Sequence, residues 1–147
     1  MSSLRMPEFS TDLLLTSPEA TTDFAAQLGA NLRAGDVLLL EGDVGAGKTH
    51  FARSLIQSLL ITPEDVPSPT FTLVQSYEAP DFEIWHADLY RLSSPDEVIE
   101  LGLVDAFEDA LCLVEWPDRL AELRPRSALT LRFCMLETIG QRSLRLE

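Results

Sequence analysis

One eight-residue stretch carries most of the chemistry. Gly42-Asp43-Val44-Gly45-Ala46-Gly47-Lys48-Thr49 fits G-x-x-x-x-G-K-[ST] at every fixed position. In such a loop the glycines let the backbone take positive φ and close around a phosphate chain. Successive N–H groups, here from Asp43 through His50, then form an anion nest at a helix N-terminus. Lys48 would place a compact charge on the β- and γ-phosphates, and the Thr49 hydroxyl would coordinate Mg²⁺. Lys48 is the only lysine in the chain; the other ten basic residues are arginine. A narrow ammonium suits a tightly wrapped loop better than a planar, forked guanidinium does. The chemistry implied is binding of a nucleoside triphosphate, ATP, with Mg²⁺. The bland alternative is a glycine turn that happens to precede a helix.

Such a loop needs an acid near the metal, usually at the end of an apolar strand. Two candidates exist. Asp88 sits in "IWHADLYRL", where strand alternation puts Ile84, His86, Asp88 and Tyr90 on one face. Glu115 ends "LCLVE" and better matches a strand tip at the ligand edge of a parallel sheet. For either one alone, a solvated strand-end carboxylate is an equal alternative. His86 could be a ligand or base, but reads first as a partly buried strand histidine. Trp116 could stack on a base or close the pocket, with a core role as the equal alternative. "SPTFT" at 68–72 follows a proline-stiffened loop, and a hydroxyl of Thr70 or Thr72 there could reach Mg²⁺ or order a water.

The elements that must position these residues are readable in outline. "DLLLT" at 12–16 predicts a strand. Ser17-Pro18-Glu19 then supplies an N-cap, a proline at the first helical position and a first-turn acid. The helix that follows is expected to run to about residue 33, ended by Gly35. "DVLLLE" at 36–41 is a short apolar run typical of a buried parallel strand. A helix over about 48–60 follows the glycine loop. "TFTLVQSYE" at 70–78 and "EIWHADLY" at 83–90 predict a hairpin around Pro80-Asp81. Ser94-Pro95-Asp96-Glu97 has the pattern of a capping box. "LCLVE" at 111–115 predicts a second buried strand, and "ALTLRFCML" and "QRSLRLE" a final antiparallel pair. The expected fold is α/β: a single P-loop NTPase-type domain over residues 1–147. Its sheet is mixed and mostly parallel, with antiparallel strand pairs and helices on both faces.

Bulk properties narrow the class. A chain of 147 residues, 46% hydrophobic and 24% charged, has the size and composition of one ordinary globular domain. No apolar run approaches membrane-spanning length, and the first residues lack a secretory core segment. A cytoplasmic protein is the expectation, with Cys112 and Cys134 as small core residues. The net charge of −13 argues against broad attraction to nucleic acid. Residues 119–147 carry +3, from six arginines and three acids, so the acidity lies in the rest of the chain. That acidity is either a solvated surface or a face that docks a basic partner.

Five segments together resemble one family: "GDVGAGKT" at 42–49, "SPTFTLVQSYE" at 68–78, "HADLYRL" at 86–92, "LGLVDAFED" at 101–109 and "LVEWPDRL" at 113–120. In order and spacing they are similar to the bacterial tRNA threonylcarbamoyladenosine biosynthesis ATPases of the TsaE (YjeE) family. The resemblance implies a small Mg²⁺-dependent P-loop ATPase acting with TsaD and TsaB on tRNAs that read ANN codons. It also implies that tRNA is met only through that complex. Carried onto this chain, Lys48 and the loop backbone hold phosphates, and Thr49 and Glu115 ligate Mg²⁺. Asp88 becomes the Walker-B-like acid and Trp116 a functionally sensitive aromatic. Ser17 and Arg142 fit positions from which the family contacts nucleotide. His50 and Ala87 depart from the family's usual threonine and bulky aromatic.

Two other functions stay open on the sequence. A small-molecule kinase would usually need an arginine-bearing lid, and 92–110 is acidic with no arginine beyond Arg91. A non-hydrolysing nucleotide-dependent interaction module would share the loop but not the need for acids. No obvious arginine finger sits near the loop, which predicts slow turnover of the isolated chain. The acidic segment 92–110 is the expected partner-docking face.

Overall fold

The computed structural model describes residues 11–42, 47–62, 64–69, 72–135 and 142–146. The loop residues Asp43, Val44, Gly45 and Ala46, and Thr70 of the 68–72 segment, lie outside the described residues. Seven strands form one sheet: β1 (Thr11–Leu15), β2 (Val37–Glu41), β3 (Val74–Glu78), β4 (Glu83–Asp88), β5 (Leu111–Glu115), β6 (Leu129–Met135) and β7 (Arg142–Leu146). Their order is β1-β7-β6-β2-β5-β4-β3. The middle four strands, β6-β2-β5-β4, are mutually parallel, and antiparallel pairings flank them on both sides. The central strands are the continuous apolar ones: Val37 to Leu40 and Leu111 to Val114 are all buried. A parallel strand covered on both faces requires that pattern.

Alternation along these strands splits the core in two. Leu38, Leu40, Leu111 and Leu113 face α1 (Pro18–Gly29) and α2 (Lys48–Leu59). Val37, Leu39, Cys112 and Val114 face α3 (Pro95–Glu100), α4 (Leu103–Asp109) and a 3-10 segment, Pro117–Leu123. Helices therefore cover both faces, as expected. Segment 92–110 is part of this wall: Leu92, Val98, Leu103, Ala106 and Phe107 are buried against the sheet. It is a structural layer, not a lid.

The local signals are mostly honoured, with instructive departures. Ser17 caps α1 by accepting from the Ala20 N–H at 3.1 Å. That helix ends at Gly29, well before Gly35, which takes φ +90° in the turn into β2. β3 begins only at Val74, because Leu73 adopts φ +69° and breaks the extended run. β4 ends at Asp88, whose Oδ1 accepts from the Tyr90 N–H at 3.0 Å. This local turn takes Tyr90 out of the strand. At α3 the Ser94 side chain makes no capping bond, and Glu97 reaches back instead to the Ser93 hydroxyl and N–H. Those bonds hold the Glu97 carboxyl below its ordinary value. Cys112 is buried, and burial pushes its thiol up to about 12. Cys134, expected in the core, is exposed, because it lies on the opposite face of β6 from buried Leu131 and Phe133.

Phe51 ties the first core together. It is fully buried and its ring lies 6.1 Å from Phe24 of α1 and 5.4 Å from Phe133 of β6. Phe51→Ala is expected to cost about 3–5 kcal/mol of stability. Urea unfolding followed by circular dichroism would measure it; a loss under about 1 kcal/mol would show that this contact does not anchor α2.

Candidate nucleotide site

The carboxyl edge of the parallel strands gathers the candidate residues. Gly42 and Gly47, at φ +140° and +106°, bracket the loop, and α2 starts directly after with Lys48. A side chain would strain the backbone at either position. β2 and β5 pair in parallel with Leu40 opposite Glu115, and β5 and β4 with Glu115 opposite Asp88. The loop and both acids are thereby brought to one edge.

Glu115 is the centre of the arrangement. It is 2% exposed. Its Oε1 accepts from the Thr49 hydroxyl at 3.0 Å and its Oε2 lies 2.7 Å from His86 Nε2. An ionised carboxylate only accepts hydrogen bonds, so the proton on His86 belongs on Nε2. The His86 ring is fully buried and its Nδ1 has no partner among the described residues. His86 is thus a positioning group for Glu115. The sequence offered His86 as a ligand or base and first as a partly buried strand histidine; the structure buries it fully and sets it against Glu115.

Lys48 is 4% exposed. Its Nζ donates to the Gly42 carbonyl at 2.5 Å and sits 3.7 Å from the centroid of the Trp116 ring. Trp116 in turn packs against Tyr90, ring centroids 4.8 Å apart. The Trp116 backbone is left-handed, φ 59° and ψ 55°, directly before Pro117. Proline disfavours helical backbone in the residue before it, and a bulky residue rarely takes positive φ. Such strain costs about 1–3 kcal/mol and is typical of functional positions.

The remaining expected residues separate. Asp88 is buried beside Glu115 in the sheet, with its N–H donating to the Leu73 carbonyl at 2.9 Å. Of the two acids, Glu115 is the one bonded to Thr49. His50 turns its side chain to α1, with Nε2 3.1 Å from the Pro18 carbonyl and 3.2 Å from the Thr22 hydroxyl. Ser17 uses its hydroxyl as a helix cap. Arg142 opens β7 opposite Leu15, two residues before Ser17, so topology brings these two to the same edge as the loop. Thr72 is exposed and its hydroxyl accepts from Gln75 Nε2 at 3.0 Å.

Two arginines distant in sequence approach the loop from the other face of β2. Arg124 reaches Glu41 Oε2 at 2.7 Å, and Arg132 Nη2 reaches Oε1 at 3.0 Å. Partial burial would raise the Glu41 carboxyl, but hydrogen bonds and charge from both arginines outweigh it and hold the group below its ordinary value.

The family model for "Threonylcarbamoyl adenosine biosynthesis protein TsaE" matches residues 15–144. A tRNA threonylcarbamoyladenosine biosynthesis protein TsaE from Rickettsia bellii is 39% identical over 132 residues, covering 90% of this chain and 92% of that protein. The Bacillus subtilis protein of the same description is 41% identical over 114 residues, 77% of this chain and 70% of the relative. Among solved structures, that of Bacillus subtilis YdiB superposes with a TM-score of 0.75 at 29% identity, covering 94% of this chain and 84% of that one.

Two outcomes follow from this geometry. Phosphate binding at Lys48 must draw its ammonium from the Trp116 face, so titration with ADP in a Trp85→Phe background is expected to change Trp116 fluorescence saturably. An emission spectrum indifferent to ADP that binds by calorimetry would show that Lys48 stays on the ring. For Glu41, a lowered folded value means its contribution is full above the unfolded carboxylate range and is lost as pH falls through the folded value. Glu41→Gln should therefore lower the thermal midpoint at pH 7 and make little difference near pH 3; an equal loss at both would refute the ionic origin.

Proposed function

The chain belongs to the TsaE family, proteins of tRNA threonylcarbamoyladenosine biosynthesis, and we propose that within that pathway it is a Mg²⁺-dependent P-loop ATPase acting with TsaD and TsaB in the cytoplasm. The observation that carries the reading is the bond from Thr49, next to the loop lysine, to buried Glu115. A hydroxyl and a carboxylate so joined are a suitable protein contribution to a Mg²⁺ site, which is otherwise completed by phosphates and water. Among the described residues no group of three or more His, Cys, Asp or Glu could hold a metal by itself. Bound Mg²⁺ would neutralise charge that develops on the phosphate oxygens.

The protein's own parts divide the work. Lys48 supplies the mobile cation, and the backbone N–H groups at the start of α2 supply fixed dipoles. Both act in a largely buried setting, where preorganised charge counts most. His86 holds Glu115, and Asp88 holds the turn that sets Tyr90 against Trp116. Arg124 and Arg132 are engaged by Glu41 on the face of β2 away from Thr49 and Glu115. This supports slow turnover alone and completion of the site by a partner. Exposed Tyr90 and Ile99, 50% and 53%, flank the acidic surface of α3. That combination favours a protein contact there, with tRNA met through the complex. No helix of the described residues is long and apolar enough to cross a membrane.

ATP hydrolysis measured with and without TsaD–TsaB tests the proposal. The pair is expected to raise turnover; equal rates would remove the partner from the mechanism. Glu115→Ala should reduce turnover by about 100-fold or more while ADP still binds, and His86→Leu by about 10–100-fold as a loss of positioning. Full threonylcarbamoyladenosine formation by Glu115→Ala and Asp88→Ala, with Lys48→Ala inactive, would instead establish a non-hydrolysing nucleotide-dependent module.

A further inference from the structure

The chain that leaves α2 returns to the nucleotide edge, where β3 begins, and it is tied down on the way. Val66 and Pro69 are buried, while Pro67 and Ser68 between them are exposed. Val66 belongs to the core under α2, and Leu73 packs against the core on the other face of the sheet. The Val66 carbonyl accepts from Arg53 Nε at 3.0 Å. The Pro69 carbonyl accepts from the Leu73 N–H at 2.8 Å, and the Leu73 carbonyl accepts from the Asp88 N–H at 2.9 Å. That last bond carries the β3–β4 ladder one residue past Val74, although Leu73 itself has φ +69°.

These bonds close a ring around the candidate site. Thr49 donates to Glu115, Glu115 stands opposite Asp88, Asp88 donates to Leu73, and Leu73 donates to Pro69. Arg53 returns the ring to α2, four residues after Thr49 and on the same helix face. Charge does not account for this arginine, since no carboxylate pairs with it among the described residues. Its bond goes to a backbone carbonyl instead. Val66 is 3% exposed, so water is poorly placed to replace that donor. A buried carbonyl without a donor carries its full desolvation cost. The 66–69 segment can avoid that cost only by shifting outward.

We propose that Arg53 is a positioning residue: through the 66–69 segment it holds the left-handed turn at Leu73, and with it the place of Asp88 beside Glu115. Its effect on turnover rests on the ATPase reading above; the coupling itself does not. A leucine keeps positive φ only where its surroundings over-determine it. Arg53 supplies that constraint from α2, outside the hairpin. Once the segment is released, Leu73 relaxes toward extended backbone and its carbonyl turns away from the Asp88 N–H. Lys48 and the glycine loop are not part of the ring, so nucleotide binding is spared while the alignment of the acids is lost.

Amide hydrogen exchange on the full chain tests the coupling, and ATP turnover with TsaD–TsaB tests its consequence. Arg53→Met keeps an apolar stem and removes the donor. It should speed exchange of the Asp88 amide about tenfold, the scale of one hydrogen bond. The amides of Leu39 and Val114, on the inner strands, should exchange as in the wild type. Arg53→Gln places an amide nitrogen as far along the side chain as Nε and should keep Asp88 protected without the charge. Leu73→Gly accepts positive φ without strain; added to Arg53→Met, it should restore part of the protection. In turnover, Arg53→Met should lower kcat about tenfold and leave KM for ATP within about twofold. Should Arg53→Met not fold, Arg53→Ala takes its place. Asp88 exchange unchanged on loss of the donor, equal acceleration at Leu39 and Val114, further loss of protection on adding Leu73→Gly, or an effect on KM alone overturns the proposal. A wild-type complex unable to hydrolyse ATP would refute the ATPase reading instead, and Asp88 exchange would still decide the role of Arg53.

Discussion

A carboxylate placed almost out of contact with water governs this structure. Glu115 ends β5, an inner strand of the sheet, and burying its charge is costly unless both oxygens are satisfied. The partners come from different places in the chain: Thr49 from the first turn of α2, and His86 from the neighbouring strand. For both to arrive together, β4 and β5 must hold their parallel register, and α2 must begin immediately after the glycine loop. A one-residue slip of β4 would turn His86 to the other face of the sheet and leave one oxygen without its donor. The chemistry of the edge and the topology of the sheet therefore impose the same condition.

The same edge concentrates strained backbone. Leu73 and Trp116 have left-handed backbones, and each adjoins an acid: Leu73 through the bond its carbonyl accepts from Asp88, Trp116 by following Glu115 in the chain. Such conformations persist where surrounding packing over-determines them. Here the packing is the two cores. Ala87, Val114 and Leu120 hold one side, while Phe51, Leu55 and Leu113 hold the other. Stability accumulated in the apolar layers is what allows a positive-φ tryptophan to sit before a proline and cover the lysine.

What the sequence revealed, and what it hid, divides by the range of the interactions. The proline-led helix starts and the unbroken apolar strands are local signals, and the corresponding elements stand where they predict. Glu115 was legible as a strand tip. Its tie to His86 was not, because the two residues are 29 apart and only the parallel β4–β5 register makes them neighbours. A histidine alternating with apolar strand residues looks the same whether it fills space or orients an acid. Cys134 misled for a similar reason: its flanking residues are apolar, but alternation puts it on the exposed face. Glu97 bonds the hydroxyl and N–H of Ser93, one residue before the Ser94 of the capping pattern. Thr72 is exposed, with its hydroxyl accepting from Gln75.

The distribution of basic side chains follows from these environments. Arg124 and Arg132 meet Glu41 at a partly open edge, where forked guanidinium groups can share one carboxylate and keep contact with water. Lys48 instead lies in a narrow space between a carbonyl oxygen and an aromatic face. Neither contact has the planar two-pronged shape that arginine matches, and both accept a compact charge on a flexible stem.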